Sequence, residues 1–272
     1  VIRTVFLVQA IIKLSFGFTQ RLFTLKNTNY VFAICRFARG DLAGSLEAID
    51  LALTSEKITS DLGDTDKINL IRMRCSILMA ESAGTKIEEQ LNLAQEIADN
   101  SDENIFGIHL MAIKAMVLNE KGEYLKAYDL ANSAVHSSEA NGYTGVTSAL
   151  DAKFVMAKCL FAFAKLKQAN DLLEEIKTEA LKFGFNTWYV IAEGFIIRNL
   201  AALAQLQESL DRCNSLREFA SQFPSQYDLS WLVDTTEIYV RFKLNDTNRV
   251  QELAKRMPDL YFVKQIVAAP SS

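Results

Sequence analysis

Three short segments of this 272-residue chain carry residue types that could do chemistry. The sequence His-Ser-Ser-Glu at 136–139 supplies a base, a nucleophile and an acid, but adjacent residues at a helix end point in different directions, which argues against a catalytic triad. The three aspartates within 61–66 lack the alternating ligands, the Gly and the closing Glu of a calcium loop. The glycines at 142 and 145 have no phosphate-binding or dinucleotide-binding motif around them. We therefore predict no enzyme, no metal site and no cofactor.

The cysteines and histidines do not favour a metal site either. The four cysteines are far apart, none has a partner at metal-ligand or redox-motif spacing, and each falls in an apolar helical stretch. They are Cys35, Cys75, Cys159 and Cys213. We expect buried free thiols in a reducing, cytoplasmic compartment. The only two histidines are His109 and His136, too few for a His-rich site.

Charge and hydropathy exclude further classes of partner. The chain has 29 basic and 33 acidic residues, a net charge of −4, and its basic residues are scattered, so nucleic acid is not expected as a partner. The apolar start is interrupted by Arg3 and Lys13, and its longest uncharged run is about half of the roughly 20 residues that a membrane span requires. We interpret residues 1–26 as an apolar helix, the remnant or cap of a preceding repeat, and the chain as part of a longer protein.

Helices must position whatever site the chain has. Only 3 Pro and 11 Gly punctuate the sequence, which is too few for an all-β protein. Two segments align without gaps, GDLAGSLEAIDLAL from Gly40 and GEYLKAYDLANSAV from Gly122. Weaker copies begin at Thr85, Ala164, Ala204 and Asn245. The copies recur about every 41 residues, and an apolar helix precedes each one, which predicts six helix pairs.

The aligned residues resemble a known repeat family. The Gly, the aromatic residue and the two Ala of GEYLKAYDLANSAV resemble the second half of a tetratricopeptide repeat, and Ala115 lies where that family has a small first-helix residue. The period is longer than the family's usual length of about 34 residues, and the Trp-Leu-Gly start is absent from most units. The long repeat is similar to that of the superhelical domain of maltose-system-activator-like bacterial regulators (LuxR/MalT type), and to peptide-sensing bacterial regulators.

The resemblance implies a fold and a division of the chain. The fold is all-α, a right-handed α-α superhelix (solenoid) of about six helix-turn-helix repeats. Six tetratricopeptide-like (TPR-like) helix pairs would occupy residues 27–258, and a C-terminal capping helix and tail would occupy 259–272.

The resemblance also implies an inner surface, lined by residues about thirteen, ten, six and three positions before each turn. The polar candidates for ligand or peptide binding are Asn27, Tyr30, Arg72, His109, Asn119, Asp151, Lys158 and Arg198. The apolar ones are Phe37, Met79, Met116, Phe154, Phe161, Tyr239 and Phe242. Isolated cations beside rings suit a peptide, because cations meet carboxylates and rings take apolar anchors. The alternative is that the rings belong to the interhelical core and the charges are solvated.

These observations predict a non-enzymatic, protein- or peptide-binding helical repeat domain, the scaffold or sensor part of a larger cytoplasmic protein. One alternative is the effector-sensing superhelix of a bacterial transcription activator of the LuxR/MalT type. Another, from a different class, is an enzyme with a pocket in a helical bundle, which needs a convergent polar cluster. The partner is expected to be a protein or peptide and not nucleic acid or a membrane, and the apolar ends could mediate self-association.

Overall fold

The computed structural model describes residues 29, 32–33, 36, 41–54, 63–80, 84–101, 103–143, 146–223 and 229–255. Within those ranges the regular structure consists of eleven α-helices and no strand. Their bounds are α1 Leu42–Thr54, α2 Asp64–Ala80, α3 Gly84–Asp99, α4 Asn104–Glu120, α5 Tyr124–Ala140, α6 Thr147–Ala162, α7 Leu166–Phe183, α8 Asn186–Ala202, α9 Leu206–Ser221, α10 Ser230–Lys243 and α11 Thr247–Ala254.

The helices form a stack of pairs. We call α2, α4, α6, α8 and α10 the first helices, and α1, α3, α5, α7, α9 and α11 the second helices. Each first helix packs against the second helices before and after it, and also against the neighbouring first helices. The extensive contacts all join helices that are adjacent or next but one in the chain. This pattern, in which each unit contacts its neighbours, makes the chain an all-α helical repeat protein.

The turns inside the pairs share one backbone geometry. In four of them the residue two positions before the second helix has a left-handed φ, and the next amide donates to the carbonyl five residues earlier. The four left-handed residues are Gly122, Ala164, Ala204 and Asn245. This hydrogen-bonding pattern is the Schellman motif, which ends a helix at a left-handed residue. The motif recurs where the sequence alignment starts its copies, so the alignment of these four units is confirmed.

Small buried residues bring the two helices of a pair together. Ala127 and Ser209, each five positions after a turn residue, are completely buried. Ser45 and Ser209 donate their hydroxyls to the backbone carbonyls of Ala33, at 2.9 Å, and Ile197, at 3.3 Å. A hydroxyl that reaches the partner helix backbone requires close approach, which explains the small residue at this position.

The second unit departs from the aligned pattern at the start of its second helix. Its first helix, α2, begins at Asp64 and has Asp64 and Asp66 in its first turn. α3 begins at Gly84, about one turn before the alignment would start it. Gln90 and Ala94 are nevertheless buried, as their aligned positions require. The buried face of this unit is therefore predicted correctly although its boundaries are not.

Several predictions concern residues outside the described ranges. These include the terminal segments 1–26 and 259–272 and the candidates Asn27, Tyr30 and Phe37. Among the described helices, none combines the length and the apolar run needed to cross a bilayer.

Candidate functional site

At the N-terminal end of the first-helix row, three predicted polar residues meet. Arg72 on α2 reaches past α4 to Asp151 on α6, where one Nη1 lies 3.1 Å from both carboxylate oxygens. His109 of α4, which packs against both neighbours, is 3% exposed, and Asp151 is also 3% exposed. His109 and Asp151 occupy equivalent positions, thirteen residues before turn residues Gly122 and Ala164. The pair is thus a buried ion pair that spans three successive first helices.

Burial decides the charge state of this cluster. Burial, and then the nearby Arg72 guanidinium, lower the pKa of His109 to about 4, so the imidazole is neutral at physiological pH. Burial raises the pKa of Asp151, while the charge and hydrogen bond of Arg72 oppose that rise. An arginine keeps its charge in proteins, and a carboxylate whose two oxygens both accept from one guanidinium nitrogen is its complementary partner. The cluster therefore holds its charges inside the array.

Two further predicted residues have partners in the neighbouring unit. Lys158 forms an ion pair with Glu120 of the preceding first helix. Asn119, which is 5% exposed, donates its amide to Cys159 Sγ at 3.3 Å. Lys158 is therefore neutralised and Asn119 is buried between helices.

Buried carboxylates between the later units were not predicted from the sequence. Glu193 on α8 pairs with Lys177 of α7 at 2.5 Å and with Arg212 of α9 at 3.0 Å. Glu237 on α10 pairs with Arg217 of α9 at 2.7 Å and with Arg249 of α11 at 3.2 Å. Each carboxylate is thereby held by the second helices on both sides of it.

Hydrogen bonds keep Glu237 charged despite its burial. Burial alone raises the pKa of Glu237, but the hydrogen bonds from Arg217 and Arg249 outweigh it, and the net pKa is lowered. A paired, charged carboxylate at this position connects units and leaves no free acid for proton transfer.

Half-buried rings from three successive first helices form a continuous group, which we call the aromatic strip. It consists of Phe154 on α6, Trp188 and Phe195 on α8, and Tyr239 on α10. Phe154 packs edge to face against Phe195, with centroids 4.7 Å apart, and against Trp188 at 5.7 Å. The Arg198 guanidinium links Phe195 to Tyr239, because its Cζ lies 5.2 Å from the first centroid and 6.0 Å from the second.

The spacing of the helices creates the strip. The backbones of α6 and α8 approach each other less closely than those of α4 and α6 or of α8 and α10, and the rings fill this gap. Gly194, one turn before Arg198, allows α8 to approach α10, since a Cβ there would lie 2.7 Å from Thr236 Oγ1. This close approach brings Arg198 over Tyr239.

Two basic side chains at the strip lack an acidic partner. Among the nine Lys and Arg of the described first helices, seven contact a carboxylate or amide oxygen within the fold. The other two, Arg198 and Lys243, have no ion pair or hydrogen bond with a described residue, and both lie near the Tyr239 ring. Arg198 Nε is shielded from solvent without a hydrogen-bond partner. Burial lowers the pKa of Arg198 below its ordinary value, although a guanidinium remains charged at neutral pH.

The strip can bind but offers no reactive group. Its rings pack against the buried core while remaining partly exposed, and Arg198 and Lys243 add positive charge that no described carboxylate neutralises. The predicted buried free thiols are confirmed for Cys75, Cys159 and Cys213. Burial raises the pKa of Cys75 and Cys213 to about 12, which keeps these thiols protonated and unreactive. Within the described ranges, no group of His, Cys, Asp or Glu has the geometry of a metal site.

Of the eight predicted polar residues, the structure describes six, and only Arg198 is at the strip without a partner. Arg72, His109, Asp151, Asn119 and Lys158 contact other residues of the fold. Phe154 and Tyr239, which the alignment assigns to the inner surface, are both part of the strip. The alignment misses Trp188, Phe195 and Lys243, because none of them occupies one of the four positions taken from the family. Their signal was the local clustering of aromatic and basic residues within α8 and α10.

The fold is similar to that of two solved proteins. One is a Rap protein complexed with competence and sporulation factor, with a TM-score of 0.66 and 11% sequence identity over 87% of this chain and 65% of that chain. The other is BtubC (BKLC) from P. vanneervenii, with a TM-score of 0.55 and 11% identity over 88% of this chain and 94% of that chain. No protein-family model matches this sequence, and no curated protein is significantly similar to it.

Proposed function

We propose that this chain is a non-enzymatic helical repeat domain that binds an extended peptide segment of a partner protein across α6, α8 and α10. The observation that carries the proposal is the aromatic strip, in which four half-buried rings adjoin an uncompensated guanidinium. Aromatic residues and Arg dominate the binding energy of protein interfaces, because they desolvate a large area while keeping a polar contact. The exposed Phe242, one turn after Tyr239, extends this apolar surface along α10.

The fold supports a binding role. Stacked helix pairs present a continuous face of first helices, on which a peptide can contact several units. The similar Rap protein was solved with a factor bound, although this chain spans 65% of that protein. The shared fold supports binding as the class of function, and the aromatic strip supplies the chemistry specific to this chain.

A scaffold or sensor role in a larger cytoplasmic protein is part of the same proposal. The transcription-activator alternative keeps this binding surface and gives it an effector as ligand. The sequence flanking residues 1–272 distinguishes the scaffold or sensor role from the transcription-activator alternative. A nucleotide-binding domain upstream and a helix-turn-helix downstream would support the activator, and their absence would rule the activator out.

Trp188 gives a direct test of peptide binding at the strip. The Trp231→Phe variant leaves Trp188 as the only tryptophan. We expect peptides selected on the protein from a random dodecapeptide library to shift Trp188 emission saturably, because they cover its half-buried ring. The Phe242→Ala variant should weaken those peptides about tenfold, the effect of truncating an interface aromatic.

Leu181→Ala is the matched control for this test, since Leu181 is similarly exposed but lies on the second helix α7. It should leave the affinity unchanged. Failure of the library to yield any binder, or binders that leave Trp188 emission unaltered, would rule out peptide binding at the strip.

A further inference from the structure

We propose that the aromatic strip recognises an acidic side chain inside the bound segment, an Asp or Glu with apolar residues on both sides, and that Arg198 is its main contact. This inference rests on the proposed peptide-binding function and names the chemical class of the ligand.

Arg198 has no counter-ion among the described residues. Arg72, Lys153 and Arg241 on other first helices each have a carboxylate of this chain within hydrogen-bonding distance. Arg198 has none, yet its Nε is shielded from solvent. A guanidinium whose Nε is shielded and which has no partner lacks hydrogen bonds, and a carboxylate from outside the chain supplies them in a charge-assisted geometry.

Arg198 lies between rings of the aromatic strip along the row of first helices. Rings of the strip come from the first helices before and after α8 as well as from α8 itself, with Phe154 on α6 and Tyr239 on α10. Apolar anchors in both directions suit a chain that continues past the carboxylate. This arrangement favours an internal Asp or Glu over a C-terminal carboxylate.

Lys243 extends the same preference. Its Nζ lies 5.8 Å from the Tyr239 centroid, while Arg198 Cζ lies 6.0 Å from it. The two cations are thus no more than about 12 Å apart, a distance that an extended peptide covers in three to four residues. Acidic residues around the central Asp or Glu are therefore also favoured.

The charges favour a peptide over a nucleic acid as the ligand. Rings beside an arginine also suit single-stranded nucleic acid. Binding of that kind depends on many phosphate contacts, whereas the strip has two uncompensated cations in a chain of net charge −4. An acidic peptide needs only the local cations.

The test combines peptide and protein substitutions in a double-mutant cycle. A phage-displayed random dodecapeptide library is selected on the full chain, and the enriched peptides are synthesised with acetylated and amidated ends, so that only side chains carry carboxylates. We expect enrichment of Asp or Glu between apolar residues. Replacing that acid by its amide should weaken binding to the wild-type chain about 10- to 100-fold, the contribution of a charge-assisted hydrogen bond. The same replacement should have almost no effect on the Arg198→Leu variant.

The controls separate the local contact from overall charge. Lys167→Glu alters the net charge on the exposed part of α7 and should leave the cycle unchanged. Arg198→Lys keeps the charge but loses the planar guanidinium, and should retain part of the affinity. Thermal unfolding of each variant checks that the array remains folded.

Three results would overturn the inference while leaving peptide binding intact. These are binders without an internal acid, an amide replacement that costs the same on Arg198→Leu, and affinity that appears only with a free C-terminal carboxylate. Displacement of the peptides by a single-stranded oligonucleotide at lower concentrations than an unlabelled acidic peptide would also overturn it. A library without any binder would instead overturn the proposed function itself.

Discussion

Equivalent positions on the neighbouring first helices α6 and α8 have opposite surroundings. Lys158 and Arg198 both lie six residues before a left-handed turn residue, Ala164 and Ala204 respectively. Lys158 pairs with Glu120, whereas Arg198 has no ion pair or hydrogen bond with a described residue and lies near the rings of Phe195 and Tyr239. The residue equivalent to Glu120, two positions before the turn of the preceding unit, is Ala162 for Arg198.

Repeat geometry alone therefore does not decide whether a cation has a partner. Ion pairs between units neutralise charges along the whole row, as Arg72 and Asp151 do across α4 and as Glu237 does with Arg217 and Arg249. Arg198 differs, since no described carboxylate contacts it and Ala162 stands where Lys158 has Glu120. A repeat alignment locates candidate positions, and the neighbouring unit decides their role.

The largest effect is expected from breaking the buried pair at the N-terminal end. Asp151→Ala should lower the free energy of unfolding by about 4 kcal/mol, because it leaves the Arg72 guanidinium buried without its carboxylate. Arg198→Leu should change it by less than about 1 kcal/mol, since Arg198 has no ion pair to lose. Urea unfolding monitored by circular dichroism measures both.

A double variant checks the physical reason. Arg72→Met combined with Asp151→Leu should recover most of the stability lost in Asp151→Ala, since both charges are removed together. If Asp151→Ala and Arg198→Leu are equally destabilising, the contrast between an arginine with an ion pair and one without is wrong.

A pH dependence of about 3 kcal/mol should also come from the N-terminal end. The pKa of His109 is about 4 in the folded chain and near 6.5 in the unfolded chain, so the unfolded chain takes up the proton first as the pH falls. The contribution is complete above pH 6.5 and is lost on acidification towards pH 4. The groups facing His109 include Arg72, whose charge adds to this effect.

Histidine variants isolate this contribution. The free energy of unfolding of His109→Gln should fall less steeply between pH 6.5 and 4 than that of the wild type. His136→Gln removes the exposed histidine and serves as the matched control. Parallel slopes for all three proteins would remove His109 as the cause.

Much of the fold follows from the sequence, because the repeat pattern depends on local geometry. Gly122 and its equivalents, including Ala204, mark turns that a gap-free alignment finds, and residues such as Ala127 mark the helix contact. The right-handed sense of the superhelix stays a prediction.

The site depends on contacts that are distant in the sequence. Arg72 and Asp151 are 79 residues apart, so nothing local indicates that each is buried by the other. The pairing of Lys177 with Glu193 and of Arg217 with Asp234 recurs at equivalent positions across unit boundaries. Aligned units could therefore have revealed these pairs, had charges been compared between neighbouring copies rather than within one.

The smallest expected effect tests the difference between Lys158 and Arg198 by changing one residue. Ala162→Glu places a carboxylate where Glu120 stands relative to Lys158, and Ala162 is exposed, so the substitution should change the stability little. If the new carboxylate reaches Arg198, an acidic peptide at the strip should bind about tenfold more weakly, because it must displace an internal partner. Ala162→Gln has the same shape without the charge and should bind like the wild type. Equal affinities for the Glu and Gln variants would mean that the missing carboxylate at 162 is not what keeps Arg198 free, and that the wider gap between α6 and α8 is the controlling feature.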